Sequence, residues 1–247
     1  MILRLIKLRG SLAAGFLGAA LCFNFVQAQQ VPDSNRYDLR PWPDAAVFGA
    51  SATSALLRHG LDSRLPLISC APCDRSRLWG IDRGAVGTFD AGASRTSDVL
   101  LMGTAWGAAT ALLLSRGRAE WSARLEDLAV LAEALSVNDA ATTWTKVLFH
   151  RARPDHYVAS PIAPPGRSYS FPSGHTSGAF AAAAAYASIL HRRGLAGRHR
   201  LEIAALFAGA AATGAMRVAA HKHFPTDVVA GAVLGTAIGW SLPAIHR

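Results

Sequence analysis

Ser170-Phe171-Pro172-Ser173-Gly174-His175-Thr176-Ser177 leads directly into an alanine-rich run, Ala179 to Ala187. Alanine has the highest helix propensity, so the run predicts a helix whose N-terminus falls at Ser173, Gly174 and His175. The first backbone N–H groups of a helix have no partner inside it, and the helix dipole is positive there. Gly174 lets a ligand approach the backbone closely, and the combination suits a phosphate-like anion. His175 would stand beside that anion with a proton to exchange near neutral pH. A capped helix start explains so short a motif equally well, and the flanking blocks decide between the two.

Upstream, apolar residues at helical spacing over Leu125 to Phe149 end in a basic cluster, Lys146 to Arg153, and Arg153-Pro154 stops that helix. Lys146 and Arg153 are seven residues apart, two turns, and share a face as far as the helix persists. Two cations on one face repel unless an anion lies between them, although a solvated basic helix end explains this pair taken alone. Downstream stand Arg217, His223 and, across Phe224-Pro225-Thr226, Asp227. Asp227 opens the last predicted helix within reach of the His223 ring, and an imidazole oriented by a carboxylate is a basic nucleophile of fixed tautomer.

In order, the blocks read Lys146-x6-Arg153-Pro154, Pro172-Ser173-Gly174-His175 and Arg217-x5-His223-x3-Asp227. The set resembles the three-part signature of the type 2 phosphatidic acid phosphatase and vanadium haloperoxidase superfamily, which includes bacterial non-specific acid phosphatases and membrane lipid phosphatases. The resemblance covers Lys146 to Asp227. It implies that Lys146, Arg153 and Arg217 hold the phosphoryl oxygens, aided by Ser173 and the Gly174 N–H. It implies further that His223 attacks phosphorus to form a phosphohistidine, that His175 protonates the leaving oxygen and that Asp227 orients His223. No metal and no cofactor are expected, because lysine and arginine supply the positive charge a metal would give. Vanadate, which resembles the phosphoryl transition state, belongs only to the haloperoxidase alternative. Met216 stands where the family usually has serine, which removes a secondary hydrogen bond and leaves the charged set whole.

The rest of the chain sets the compartment. Arg4, Lys7 and Arg9 precede an apolar run from Leu12 to Val26 and a small-residue site at Val26-Gln27-Ala28, so residues 1–28 read as a secretory signal or a membrane anchor. Either one sends the remainder of the chain out of the cytoplasm. Removing that segment takes the formal charge from +9 to +6, which favours anionic partners. A phosphorylated small-molecule or lipid substrate and an anionic membrane surface fit that sign, and no nucleic-acid motif accompanies it. Cys70 and Cys73, spaced Cys-Ala-Pro-Cys in an exported chain, predict a local disulfide, not a redox or zinc site. Residues 29–97 read as an extended arm, a short helix from Ala45 to Leu57 and an irregular region from Gly60 to Ser97; residues 98–247 form the helical core. His156 and His221 are placed at the pocket rim or surface, Tyr169 and Phe171 as braces of the motif loop, and Trp106, Trp144 and Trp240 in the core or at a membrane interface.

The expected fold is all-α, a bundle of about five to six helices with the active site at one end. Basic turns at Arg116 to Arg124, Arg192 to Arg200 and His246-Arg247 fall at the opposite end from the motifs. In a membrane, that charge bias puts the motifs on the outer, periplasmic face. The carboxylates of the Leu125 helix and the shortness of most apolar runs argue instead for a soluble periplasmic bundle. The function expected is a phosphatase acting on phosphate mono- or diphosphate esters. Envelope lipid phosphates lead if the helices span, and soluble esters lead if they do not.

Overall fold

The structure, a computed structural model, describes residues 37, 41–61, 64–68, 70, 72–115, 121–159 and 169–246. The expected signal or anchor, the basic turn at Arg116 to Arg118 and Arg247 lie outside the described residues. The helices in chain order are α1 (Pro41–Gly60), a short α2 (Gly80–Arg83), α3 (Ala91–Ser115), α4 (Trp121–Phe149), α5 (Gly174–Arg192), α6 (Arg200–Ala219) and α7 (Pro225–Ile245). Single 3-10 turns occur at Arg75–Arg77 and Pro154–Tyr157. The fold is a helical bundle, as the periodicity predicts.

Three boundaries differ from expectation, each for a local reason. Helix α1 starts at Pro41, four residues early, because proline suits a first helical position whose N–H would have no partner anyway. Helix α3 starts at Ala91, where Asp90 Oδ1 accepts the Ala93 N–H at 2.9 Å. That cap turns the last residues of the supposedly irregular region into helix and aims Ser97 and Asp98 at the motif end. Helix α4 stops at Phe149, since His150 takes a left-handed φ of 45°. Lys146 and Arg153 therefore do not share a helical face; Arg153 caps the following 3-10 turn instead.

Helix α5 is the central rod, buried from Thr176 to Leu190 except at Gly178 and Phe180, with α3, α4, α6 and α7 packed around it. Its contact with α7 is the closest. A Cβ on Gly235 would lie 2.0 Å from the Ser177 carbonyl oxygen, and one on Gly239 2.3 Å from that of Ala181. Only glycine permits that backbone approach, the small-residue spacing typical of tightly crossed apolar helices. The approach locks the start of α5, which carries Ser173 to His175, to the start of α7, which carries Asp227.

Three of the four carboxylates of α4, Glu126, Asp127 and Glu133, are buried, whereas Asp139 is exposed. Arg193 donates to Asp127 at 2.8 and 3.1 Å and lies 3.8 Å from Glu126, while His246 Nε2 lies 2.8 Å from Glu133. These three are paired inside the bundle and so do not oppose a membrane setting. Ala91–Leu114, Arg200–Ala219 and Pro225–Ile245 are long and apolar enough to cross a membrane. Val99, Met102 and Trp106 of α3 and Val229, Val233 and Trp240 of α7 are exposed, and Trp144 is too, so none of the three expected tryptophans is a core residue.

Cys70 and Cys73 form the expected disulfide. Cys73 is buried with Ile68, Ala152 and Tyr169, which ties this loop to the motif loop. Tyr169 donates its hydroxyl to the Pro66 carbonyl at 2.6 Å, and Phe171 stacks on Phe149 with ring centres 4.7 Å apart. Both therefore brace the loop.

Candidate active site

Helices α4 and α6 end, and α5 and α7 begin, at one end of the bundle, and all eight expected residues meet there. His223, buried in the turn between α6 and α7, is their centre. Its Nδ1 lies 2.7 Å from the Ser170 carbonyl oxygen. A carbonyl can only accept, so Nδ1 carries the proton and Nε2 keeps its lone pair. Asp227 Oδ2 lies 3.8 Å from Nδ1, beyond hydrogen-bond range. The expected direct bond from the His223 ring to Asp227 is thus replaced by one to the Ser170 carbonyl. Asp227 acts on the backbone: Oδ2 accepts the Phe224 N–H at 2.8 Å, and its carbonyl accepts the Ser173 N–H at 3.0 Å. It therefore joins the turn carrying His223 to the start of α5.

Burial, followed by the charges of Lys146, Arg153 and Arg217, holds the His223 ring well below the ordinary histidine value of 6.5. The three cations are thus close enough to act on it together. Arg153 and Arg217 also feel each other's charge, and each has its Nε buried without a hydrogen-bond partner among the described residues. Burial pushes the Arg153 guanidinium below its ordinary value. Buried Arg217 and half-buried Arg153, each with an unmet buried Nε donor beside a neutral imidazole, form an arrangement that suits an anion. Arg217 spends Nη1 on Ser97 Oγ at 3.1 Å, which sets its plane.

Lys146 donates to the Pro172 carbonyl at 2.6 Å and lies 3.4 Å from that of Tyr169, so it braces the motif loop as well as charging the site. Ser173, fully buried, caps α5: its Oγ receives the Thr176 hydroxyl at 2.9 Å and the Thr176 N–H at 3.5 Å. Accepting these bonds leaves its own proton to donate. A Cβ on Gly174 would meet Thr142 Cγ2 at 3.3 Å and Lys146 Cε at 3.8 Å, so the backbone comes close to the Lys146 chain.

His175 Nε2 lies 2.7 Å from Asp98 Oδ1, and the same oxygen lies 3.8 Å from Arg217 Nη1. Asp98 thus connects the expected acid to the anion cradle. Arg151 is the second addition. It sits between two buried carboxylates, with Nη1 2.5 Å from Asp227 Oδ1 and Nη2 2.8 Å from Asp82 Oδ2, and its guanidinium lies 4.3 Å over the Phe224 ring. Asp82 also accepts from the Thr226 N–H at 3.1 Å and the Thr226 hydroxyl at 2.8 Å. Neither Asp98 nor Arg151 was marked by motif spacing. The signal open to view was Asp90 four residues before Ser94 as a helix cap, which predicts a helix presenting Asp98.

His221 stands at the rim as expected: it has φ of 52°, and its Nδ1 lies 2.8 Å from the Ala85 carbonyl oxygen. A Cβ on Gly87 would fall 2.4 Å from that ring, so the 85–87 loop is seated on it. His156 does not lie at the surface. It is buried, and its carbonyl accepts the Cys73 N–H at 2.8 Å, because the disulfide loop folds over it.

Residues 127–247, which hold all eight expected residues, match the family model described as PAP2 superfamily. Asp82 and Asp98 lie outside the matched segment. No curated protein matches the chain. Among solved structures it is similar to "the first transmembrane PAP2 type phosphatidylglycerolphosphate phosphatase from Bacillus subtilis", at 20% identity and a TM-score of 0.44, over 83% of this chain and 96% of that one. A likeness at that level carries nothing about activity.

Proposed function

We propose that the chain is a membrane-spanning phosphatase that hydrolyses phosphate mono- or diphosphate esters, lipid phosphates above all, through a phosphohistidine and without a metal ion. The observation that carries this is the pair of guanidiniums, Arg153 and Arg217, each with a buried, unmet Nε donor, around an imidazole whose Nδ1 is pinned and whose Nε2 is free. The match of residues 127–247 to the PAP2 superfamily model and the three apolar helices among the described residues support it. Arg192, Arg198 and Arg200, at the end of the bundle opposite the site, support an outer-face location for the site by the positive-inside rule.

The chemistry follows from the atoms. A phosphoryl group enters between Arg153 and Arg217, with the N-terminus of α5 and Lys146 adding positive charge. His223 Nε2 attacks phosphorus, the bond to the leaving oxygen breaks, and His175 gives that oxygen its proton. A water then attacks the phosphohistidine while His175 takes one of its protons. Inorganic phosphate departs and Nε2 regains its lone pair. Asp227 and Ser170 hold the nucleophile in place throughout.

The test is labelling with a substrate carrying labelled phosphate, quenched in alkali, where a phosphohistidine survives, and then exposed to acid, where it does not. The unmodified enzyme is expected to show an acid-labile label, and His223→Ala none, with turnover almost abolished. Label persisting on His223→Ala refutes the assignment.

A further inference from the structure

The segment from Arg75 to Phe89 precedes the family match, and its side chains divide sharply. Leu78 and Ala85 are buried against Phe224, and buried Asp82 holds Thr226 and Arg151. Between and beyond these anchors, Trp79 is 73% exposed, Ile81 65% and Phe89 46%. The segment is thus bolted to the turn that carries His223, yet it holds three large apolar side chains in the open. Arg75, Arg77 and Arg83 are exposed beside them, against two exposed flanking carboxylates, Asp90 and Asp74, the latter 3.5 Å from Arg77.

Its place in the bundle is equally specific. Asp82 bonds the start of α7 through Thr226, Asp90 donates its N–H to the Ala220 carbonyl at 3.3 Å at the end of α6, and Ala91 begins α3. The segment therefore touches the site-side ends of the three helices that, among the described residues, are long and apolar enough to cross a membrane. On α3, which follows the segment directly, Val99, Met102 and Trp106 are exposed as well. Tryptophan and arginine together at that level match a headgroup region, apolar below and anionic at the surface.

We propose that residues 75–89 dock on an anionic lipid surface, with Trp79 and Ile81 inserted and Arg75 and Arg77 on lipid phosphates, and so hold the site mouth at headgroup depth. The proposal rests on the reading of the chain as a membrane-spanning lipid phosphatase. It adds that this chain reads the bilayer surface through a segment of its own, bolted through Asp82 and Phe224 to the catalytic turn.

The test uses the full chain in vesicles of phosphatidylcholine, with and without phosphatidylglycerol. Ile81→Cys, labelled with an environment-sensitive fluorophore, should be quenched by brominated lipid, more strongly with phosphatidylglycerol present. In kinetics, Trp79→Glu combined with Ile81→Glu should raise the apparent KM for vesicle phosphatidic acid on the order of tenfold, from the lost apolar contact. Arg75→Gln and Arg77→Gln should each raise it roughly fivefold in anionic vesicles only. Turnover of soluble p-nitrophenyl phosphate should not change in any of these variants. Equal losses on both substrates, no change on either, or a probe shielded in detergent as well as in lipid, as by a protein partner, overturns the proposal. If the unmodified chain hydrolyses neither substrate, the phosphatase reading fails, and the quenching measurement still decides the docking.

Discussion

Replacing Arg151 by methionine tests the part of the site that the motif spacing does not show. Arg151 neutralises Asp227 and Asp82 at 2.5 and 2.8 Å, and both carboxylates are inaccessible to water. Methionine keeps most of the volume and removes the charge, leaving two buried carboxylates that face no cation at bonding distance. Breaking a buried pair from one side costs about 3–5 kcal/mol. Arg151 is itself about a quarter exposed, so the lower half of that range applies. For a chain of this length, 3 kcal/mol corresponds to a fall in melting temperature of roughly 6–12 °C. Asp82→Asn in the same chain relieves one of the stranded charges, so the double variant should recover part of the loss, with a coupling of about 1–2 kcal/mol. Activity should fall as well, in kcat more than in KM, because Asp227 sets the Phe224 N–H and hence the His223 turn. The assays are thermal unfolding in detergent and turnover of an aryl phosphate. A loss below about 1 kcal/mol with additive single and double variants would refute the network as a positioning device.

The remaining expectations concern pH, leaving groups and packing. In the proposed mechanism His223 attacks as the neutral ring, and its proton affinity is held well below 6.5 by burial and then by Lys146, Arg153 and Arg217, so the acid limb of kcat/KM should lie below pH 6.5. Lys146→Met should move that limb upward, and the difference between the two profiles cancels the substrate's own titration. In stability the sign is the same: the unfolded ring binds a proton near 6.5 that the folded site refuses, so stability falls as pH drops below that value and is flat above it. Asp98→Asn and His175→Ala should slow alkyl phosphates far more than activated aryl phosphates, since general acid help is worth about 10²–10⁴-fold and an aryl oxide needs little of it. Equal losses on both substrates would remove His175 from that role. Gly235→Ala should lower the melting temperature through an overpacking cost of about 1–3 kcal/mol or more. Gly49→Ala, where no atom lies within 4 Å, should be neutral or stabilising.

Legible and hidden features of the sequence divide along one physical line. Helices announce themselves through periodicity and composition, so α4 to α7 stand close to where the pattern puts them. Lys146, Arg153, the Ser173 to His175 turn, Arg217, His223 and Asp227 are legible because each block is local, and the chemistry of an anion site demands those side chains. Contacts made across the chain leave no such trace. Asp98 reaches His175 over 77 residues, and Arg151 reaches Asp82 over 69. Each is a single charged residue among others, and only the bundle brings it to its partner. The same holds for the role of Asp227, which local spacing assigns to the His223 ring. The carboxylate is instead drawn to the Phe224 N–H and to Arg151, and the Ser170 carbonyl takes the ring. The His223 ring is therefore oriented by the loop that opens the Pro-Ser-Gly-His helix, while the carboxylate fixes that loop to the turn that carries His223. Motifs separate in sequence are in this way one mechanical unit, and closing that unit requires Asp82 from a segment the motifs do not include.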